Sequence, residues 1–61
     1  MKQLRDLQVG DKFRLAEYPK GGVFVRGSKV GGSDDLYYVH PATIGYIYMG
    51  QGGDDVIVVE E

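Results

Sequence analysis

Near the start of this chain, apolar and polar residues alternate with a period of two, which is the spacing of a β-strand. In the segment 12–18, Phe13 and Leu15 fall on one side and Lys12 and Arg14 on the other. Two further segments rich in β-branched and aromatic residues follow, at 23–26 and 36–40. The sequence therefore predicts three strands in its first 40 residues, separated by turns that contain glycine or proline.

The segment 43–59 predicts a β-hairpin whose two arms are apolar on both faces. In the first arm Tyr46 and Tyr48 point one way, while Ile47 and Met49 point the other. The second arm, Val-Ile-Val-Val, is apolar throughout. A chain of 61 residues is too small to cover both faces with its own core. One face of the hairpin is therefore expected to contact another molecule.

Five short strands predict an all-β fold: one domain, residues 1–61, built as a small five-stranded antiparallel SH3-like barrel. The alternatives are an OB-like barrel or a bent β-meander. An OB-like barrel usually carries a helix between its third and fourth strands, and Pro41-Ala42 leaves no room for one. Gly27 and Gly45 are the expected sites of the bulges or bends that a small barrel needs.

Composition removes several functional classes. The chain has no cysteine and one histidine, which excludes disulfides and leaves no constellation for structural zinc. No cofactor site is predicted. The formal net charge of −2 lacks the strongly basic balance of most nucleic-acid binders. The sequence has no apolar run of membrane-spanning length, so a cytoplasmic location is expected. Small domains are often stabilised by disulfides, metals or association, and of these only association is left for this chain.

The sequence contains few residues that could form a catalytic site. A nucleophilic triad would have to combine His40 with a serine or Thr43 and an acid. His40 precedes a proline, however, and we interpret it as a histidine at the end of a strand. The chain is thus expected not to be an enzyme. The acidic turns Asp34-Asp35 and Asp54-Asp55 offer oxygen ligands for a cation. Aspartate after glycine is also ordinary turn chemistry, which is the favoured interpretation, so no metal site is predicted.

The N-terminal stretch Asp6-Leu7-Gln8-Val9-Gly10-Asp11-Lys12-Phe13-Arg14 fits the pattern D-L-x-V-G-D-x-F-R. Together with Val23-Phe24-Val25-Arg26 and the terminal Val-Ile-Val-Val-Glu, it resembles small uncharacterised β-barrel proteins of bacteria and their phages. The resemblance covers the two ends of the chain and not its middle. It implies a small β-barrel and mobile-element ancestry, and it carries no activity and no site residues.

Two binding hypotheses follow from these patterns. The first is a non-enzymatic interaction module whose partner is a second copy of the chain or another protein. Its candidate interface is one face of the hairpin, on either the Tyr46/Tyr48 or the Ile47/Met49 side, and alternation alone does not say which. The candidate residues of the two faces are Ile44, Tyr46, Ile47, Tyr48, Met49, Ile57 and Val59.

The alternative is weak binding of single-stranded nucleic acid, on which bases stack against tyrosines flanked by basic residues. The candidate face comprises Lys12, Arg14, Arg26, Lys29, Tyr37 and Tyr38. Self-association is favoured over nucleic acid, and no membrane contact is expected.

Overall fold

The computed structural model of the protein describes residues 2–42 and 45–59. These residues form six strands: β1 (Lys2–Gln3), β2 (Lys12–Leu15), β3 (Phe24–Lys29), β4 (Leu36–Pro41), β5 (Tyr48–Gln51) and β6 (Asp55–Val58). In the described part of the chain the helical content is one 3-10 turn, Leu4–Asp6. The protein is therefore all-β, as the alternation predicts. No helix among the described residues is long and apolar enough to cross a membrane.

The six strands form one antiparallel sheet in the order β1-β6-β2-β3-β4-β5. The sheet is open, because β1 and β5 stand at its two ends and do not pair with each other. The structure thus differs from the predicted five-stranded barrel in having a sixth strand and no closure. Strand β1 has only two residues, too few to show a period-two pattern in the sequence.

The predicted hairpin in segment 43–59 is wrong in its pairing. Strands β5 and β6 follow each other in the chain, yet β5 pairs with β4 while β6 pairs with β1 and β2. Between them lies a tight turn, in which the Asp54 amide donates to the Gln51 carbonyl (3.0 Å) and the Gln51 amide donates to Asp54 Oδ2 (3.1 Å). The turn therefore carries the chain from one end of the sheet towards the other.

The first arm is also shorter than predicted. Strand β5 begins at Tyr48, and residues 45–47 lie outside any strand. Gly45 is therefore not a bulge within a strand. The second predicted position does carry one: between Arg26 and Lys29, β3 advances three residues while β4 advances two, from Val39 to Tyr37. The β-bulge expected at Gly27 is confirmed.

The hydrophobic core lies on the inner face of the sheet. Phe13 and Phe24 are opposite each other on β2 and β3, and their rings stack with centroids 5.9 Å apart. On β6 the inward residues are Val56 and Val58, which pair with inward residues of β2. The buried core residues are Leu4, Leu7, Phe13, Val39 and Val56.

The 3-10 turn connects the two ends of the open sheet. The Leu4 amide donates to the Asp54 carbonyl (2.9 Å) and the Arg5 amide donates to the Gly52 carbonyl (3.0 Å). Arg5 also pairs with Asp35, with 2.9 Å between Nη2 and Oδ2. The turn between β5 and β6 is thus held by the N-terminal segment and by the β3–β4 loop.

Candidate functional site

The most exposed apolar side chains of the C-terminal half lie next to each other in the chain. Tyr46 is 84% exposed, Met49 63%, Ile47 59% and Tyr48 54%. A single exposed apolar residue is normal on a protein surface, but a contiguous group indicates a contact site. The sequence predicts that one face of this arm is exposed and the other covered, whereas the side chains of both faces are more than half exposed.

Strand β5 is also an end of the sheet. It pairs with β4 on one side, and no described strand lies along its other side. Edge strands are usually protected by charges, proline or bulges. The residues of β5 are Tyr-Met-Gly-Gln, which provide none of these, and residues 45–53 contain no charged side chain. The backbone edge of β5 is therefore open to pairing with another strand.

The two faces of β5 contact different parts of the protein. Tyr48 is opposite the buried Val39 and meets the ring of Phe24 edge-on, with 6.4 Å between centroids. Met49 is opposite Tyr38 on the outer face of the sheet. Since cross-strand partners point to the same side, Tyr48 completes the inner face. Met49 and Tyr38 form an apolar pair on the outside.

The predicted protein interface is divided by the structure. Residues Tyr46 to Met49 stay together at the β5 end. Ile57 lies on the outer face of β6, opposite Arg14 on β2, and Val59 is half-buried just after β6. The remaining member, Ile44, lies outside the described residues.

The predicted nucleic-acid face is divided as well. Lys12 and Arg14 share the outer face of β2, whereas Arg26 falls on the inner face beside Val39. There the Arg26 guanidinium lies over the Tyr37 ring, 4.2 Å from its centroid, so that ring face is already occupied. The other members are the outward Tyr38 and Lys29, which lies beyond the β-bulge at the exposed end of β3.

A groove opens on the inner side of β5. Its volume is about 510 Å³, within the range of small-molecule and side-chain pockets. The groove lies next to the core, because two of its walls, Leu15 and Phe24, pack against the buried cluster. Its wall residues come from β2, β3, β4 and β5: Leu15, Phe24, Val39, Pro41, Tyr48, Met49 and Gly50, with Gly45 and Asp54 at the ends of β5.

The described residues contain no cluster of metal-binding side chains. Among residues 2–42 and 45–59, no three His, Asp or Glu side chains are close enough to hold a metal ion. His40 is opposite Val25 on the outer face, with its ring over Gly27. The acidic turn residue Asp35 pairs with Arg5, and Asp54 accepts the Gln51 amide. Both turns therefore use aspartate for local structure.

Sequence reasoning missed two residues of the site. Tyr38 was assigned to the nucleic-acid face, but it is the cross-strand neighbour of Met49. The sequence places Phe24 on a predicted strand and assigns it to no site, but it forms a wall of the groove. Both positions depend on strand register, that of β4 against β5 for Tyr38 and that of β2 against β3 for Phe24. The periodicity within a single strand does not give the register between strands.

No family model, curated protein or solved structure matches the chain. Proposals about its function therefore rest on the geometry of the described residues.

Proposed function

We propose that this protein is a non-enzymatic interaction module that associates with a second copy of itself through the β5 end of the sheet. The interface, called the β5 patch, consists of Tyr38, Tyr46, Ile47 and Met49 together with the backbone edge of β5. The observation that carries the proposal is the coincidence of four exposed apolar side chains with an unprotected sheet edge at the same strand.

Pairing of β5 with β5 of a second copy satisfies both features at once. An antiparallel pair of identical strands is isologous, so each copy offers the same surface and the assembly stops at two. The pairing adds main-chain hydrogen bonds along the edge, and cross-strand contacts add apolar burial. Because no charged residue lies in 45–53, two copies approach without like-charge repulsion along the strand.

We propose that the fold is an SH3-like barrel that is left open between β1 and β5. Supporting this form, the last strand, β6, returns beside β2 after the meander β2-β3-β4-β5. The OB-like alternative would bring a helix before β5, and the residues described on either side of 43–44 contain none. In this arrangement the β5 end is the place where a partner strand extends the sheet.

Sedimentation of the protein across the micromolar range tests the proposal. The wild-type mass is expected to rise from monomer to dimer with concentration. Met49→Glu places a carboxylate beside its counterpart in the second copy, and like charges juxtaposed at an interface cost several kcal/mol. This substitution is expected to weaken dimerisation by at least about tenfold.

Ile57→Glu is the matched control. Ile57 is also an outward, exposed apolar strand residue, and the substitution makes the same change in net charge. It lies opposite Arg14, so the new carboxylate meets a favourable partner. Dimerisation of this variant should match that of the wild type. A wild type that stays monomeric, or equal weakening by both substitutions, would contradict the proposal.

Binding of single-stranded nucleic acid is the second candidate, and one observation favours it. The outer face of the sheet places Lys12 opposite Val25 and Val25 opposite His40, with Arg14 and Tyr38 farther along the same face. Cationic and aromatic side chains on one surface are what stacking and phosphate contacts require. Retention on a single-stranded oligonucleotide should fall steeply between about 50 and about 200 mM salt; absence of retention at the lower concentration would exclude it.

A further inference from the structure

Three depressions of the surface meet at Leu15, and the largest of them is the groove beside Tyr48. Its walls are mostly apolar, since Leu15, Phe24 and Tyr48 line it. Tyr48 is half exposed there, and its edge-on contact with Phe24 leaves the rest of its ring open to solvent. The groove can therefore accept an apolar side chain and bury it against aromatic and aliphatic surface.

A second depression of about 460 Å³ shares Leu15 and Asp54 with the groove. Its other lining residues include Glu17 and Asp55, so acidic residues border it. The ion pair between Arg5 and Asp35 lies outside this depression. The acidic depression is thus a region of negative charge that is complementary to a cationic side chain.

A third, smaller depression of about 260 Å³ shares Leu15 and Phe24 with the groove and is bordered by Tyr18 and Gly21. The loop that forms it is held in place: Arg14 Nη1 donates to the Gly21 carbonyl (3.0 Å), and the Gly21 amide donates to the Tyr18 carbonyl (2.8 Å). The three depressions form one continuous surface, longer than a single side chain needs.

We propose that this surface binds an extended peptide segment in which an apolar residue and a lysine or arginine are two positions apart. In an extended chain such residues point the same way and are about 7 Å apart. The apolar side chain enters the groove beside Tyr48, and the cation enters the acidic depression beside Glu17 and Asp54. Charge complementarity selects this occupant over an acidic or neutral peptide.

Met49 borders both this site and the surface proposed for self-association. The rest of the groove lies on the inner face of β5, where Tyr48 points, whereas the rest of the β5 patch is the backbone edge and outer residues such as Tyr38. The two proposals can therefore fail separately.

The test is a titration of the ¹⁵N-labelled protein with capped Ser-Phe-Ser-Arg-Ser, followed by amide chemical shifts. The expected result is saturable shifts at Leu15, Tyr48 and Gly53. The matched peptides Ser-Phe-Ser-Glu-Ser and Ser-Gly-Ser-Arg-Ser should bind at least about fivefold more weakly, because each lacks one of the two complementary groups. Equal shifts with all three peptides, shifts confined to other surfaces, or none at all would overturn the proposal.

Variants locate the contacts. Glu17→Gln removes an exposed carboxylate from the acidic depression, and affinity for the Phe/Arg peptide should fall about two- to fivefold, as expected for a partly screened charge pair. Tyr48→Ala removes the aromatic wall and should weaken binding at least about fivefold. The control Asp34→Asn removes an exposed carboxylate outside all three depressions and should leave affinity unchanged. If Asp34→Asn and Glu17→Gln weaken binding equally, the acidic depression is not the site of the cation.

Discussion

Leu4 is the side chain that joins the N-terminal segment to β5. It is almost fully buried, and its Cδ2 approaches the backbone of Gly50 so closely that a Cβ there would be 2.8 Å away. Val39 Cγ2 would lie 3.1 Å from the same Cβ. The missing side chain at Gly50 is therefore what allows Leu4 to cover the β5 end of the core.

Gly50→Ala tests this contact. The added methyl group would push Leu4 and Val39 apart in a packed core, and overpacking of this kind typically costs about 1–3 kcal/mol. Urea denaturation should show a free energy of unfolding lowered by that amount. Gly31→Ala is the control, since a Cβ at Gly31 meets no atom within 4 Å; its stability should stay within about 0.5 kcal/mol of the wild type. Equal stability of both variants and the wild type would contradict the packing described for Leu4.

At the scale of elements, the sequence predicts the strands better than their partners. Alternation locates β2, and a high content of β-branched and aromatic residues locates β3 and β4. It cannot say which strands pair, and so the hairpin of segment 43–59 was wrong: β6 pairs with β1 and β2 instead of β5. Pairing depends on where the whole chain brings strands together, which is not encoded in the period of any one of them.

For the candidate site, too, the sequence predicts some features and not others. The apolar pattern of Tyr46 to Met49 predicts that one face of this arm is exposed, and in the structure the side chains of both faces are more than half exposed. The sequence pattern does not predict which residues lie together on one surface. Arg26 sits in an apolar run, Val-Phe-Val-Arg, that leaves its direction ambiguous; its pairing with Val39 turns it inward onto Tyr37.

For the molecule as a whole, the open sheet is the property from which the proposed function follows. The N-terminal end of the sheet is a two-residue strand followed directly by a 3-10 turn. That turn packs Leu4 against Gly50 of β5, and exposed apolar side chains lie at the same end of the sheet. Self-association at β5 would cover these side chains and a four-residue strand edge that carries no charged side chain.

The most direct test of this claim is an isotope-filtered NOE experiment on an equimolar mixture of ¹³C-labelled and unlabelled protein, at a concentration where sedimentation shows dimer. Pairing through the β5 patch predicts intermolecular contacts from the Met49 methyl group to the ring protons of Tyr46 or Tyr38 in the second copy. Intermolecular contacts found instead at Ile57 or Val9, with none at Met49, would contradict association through β5.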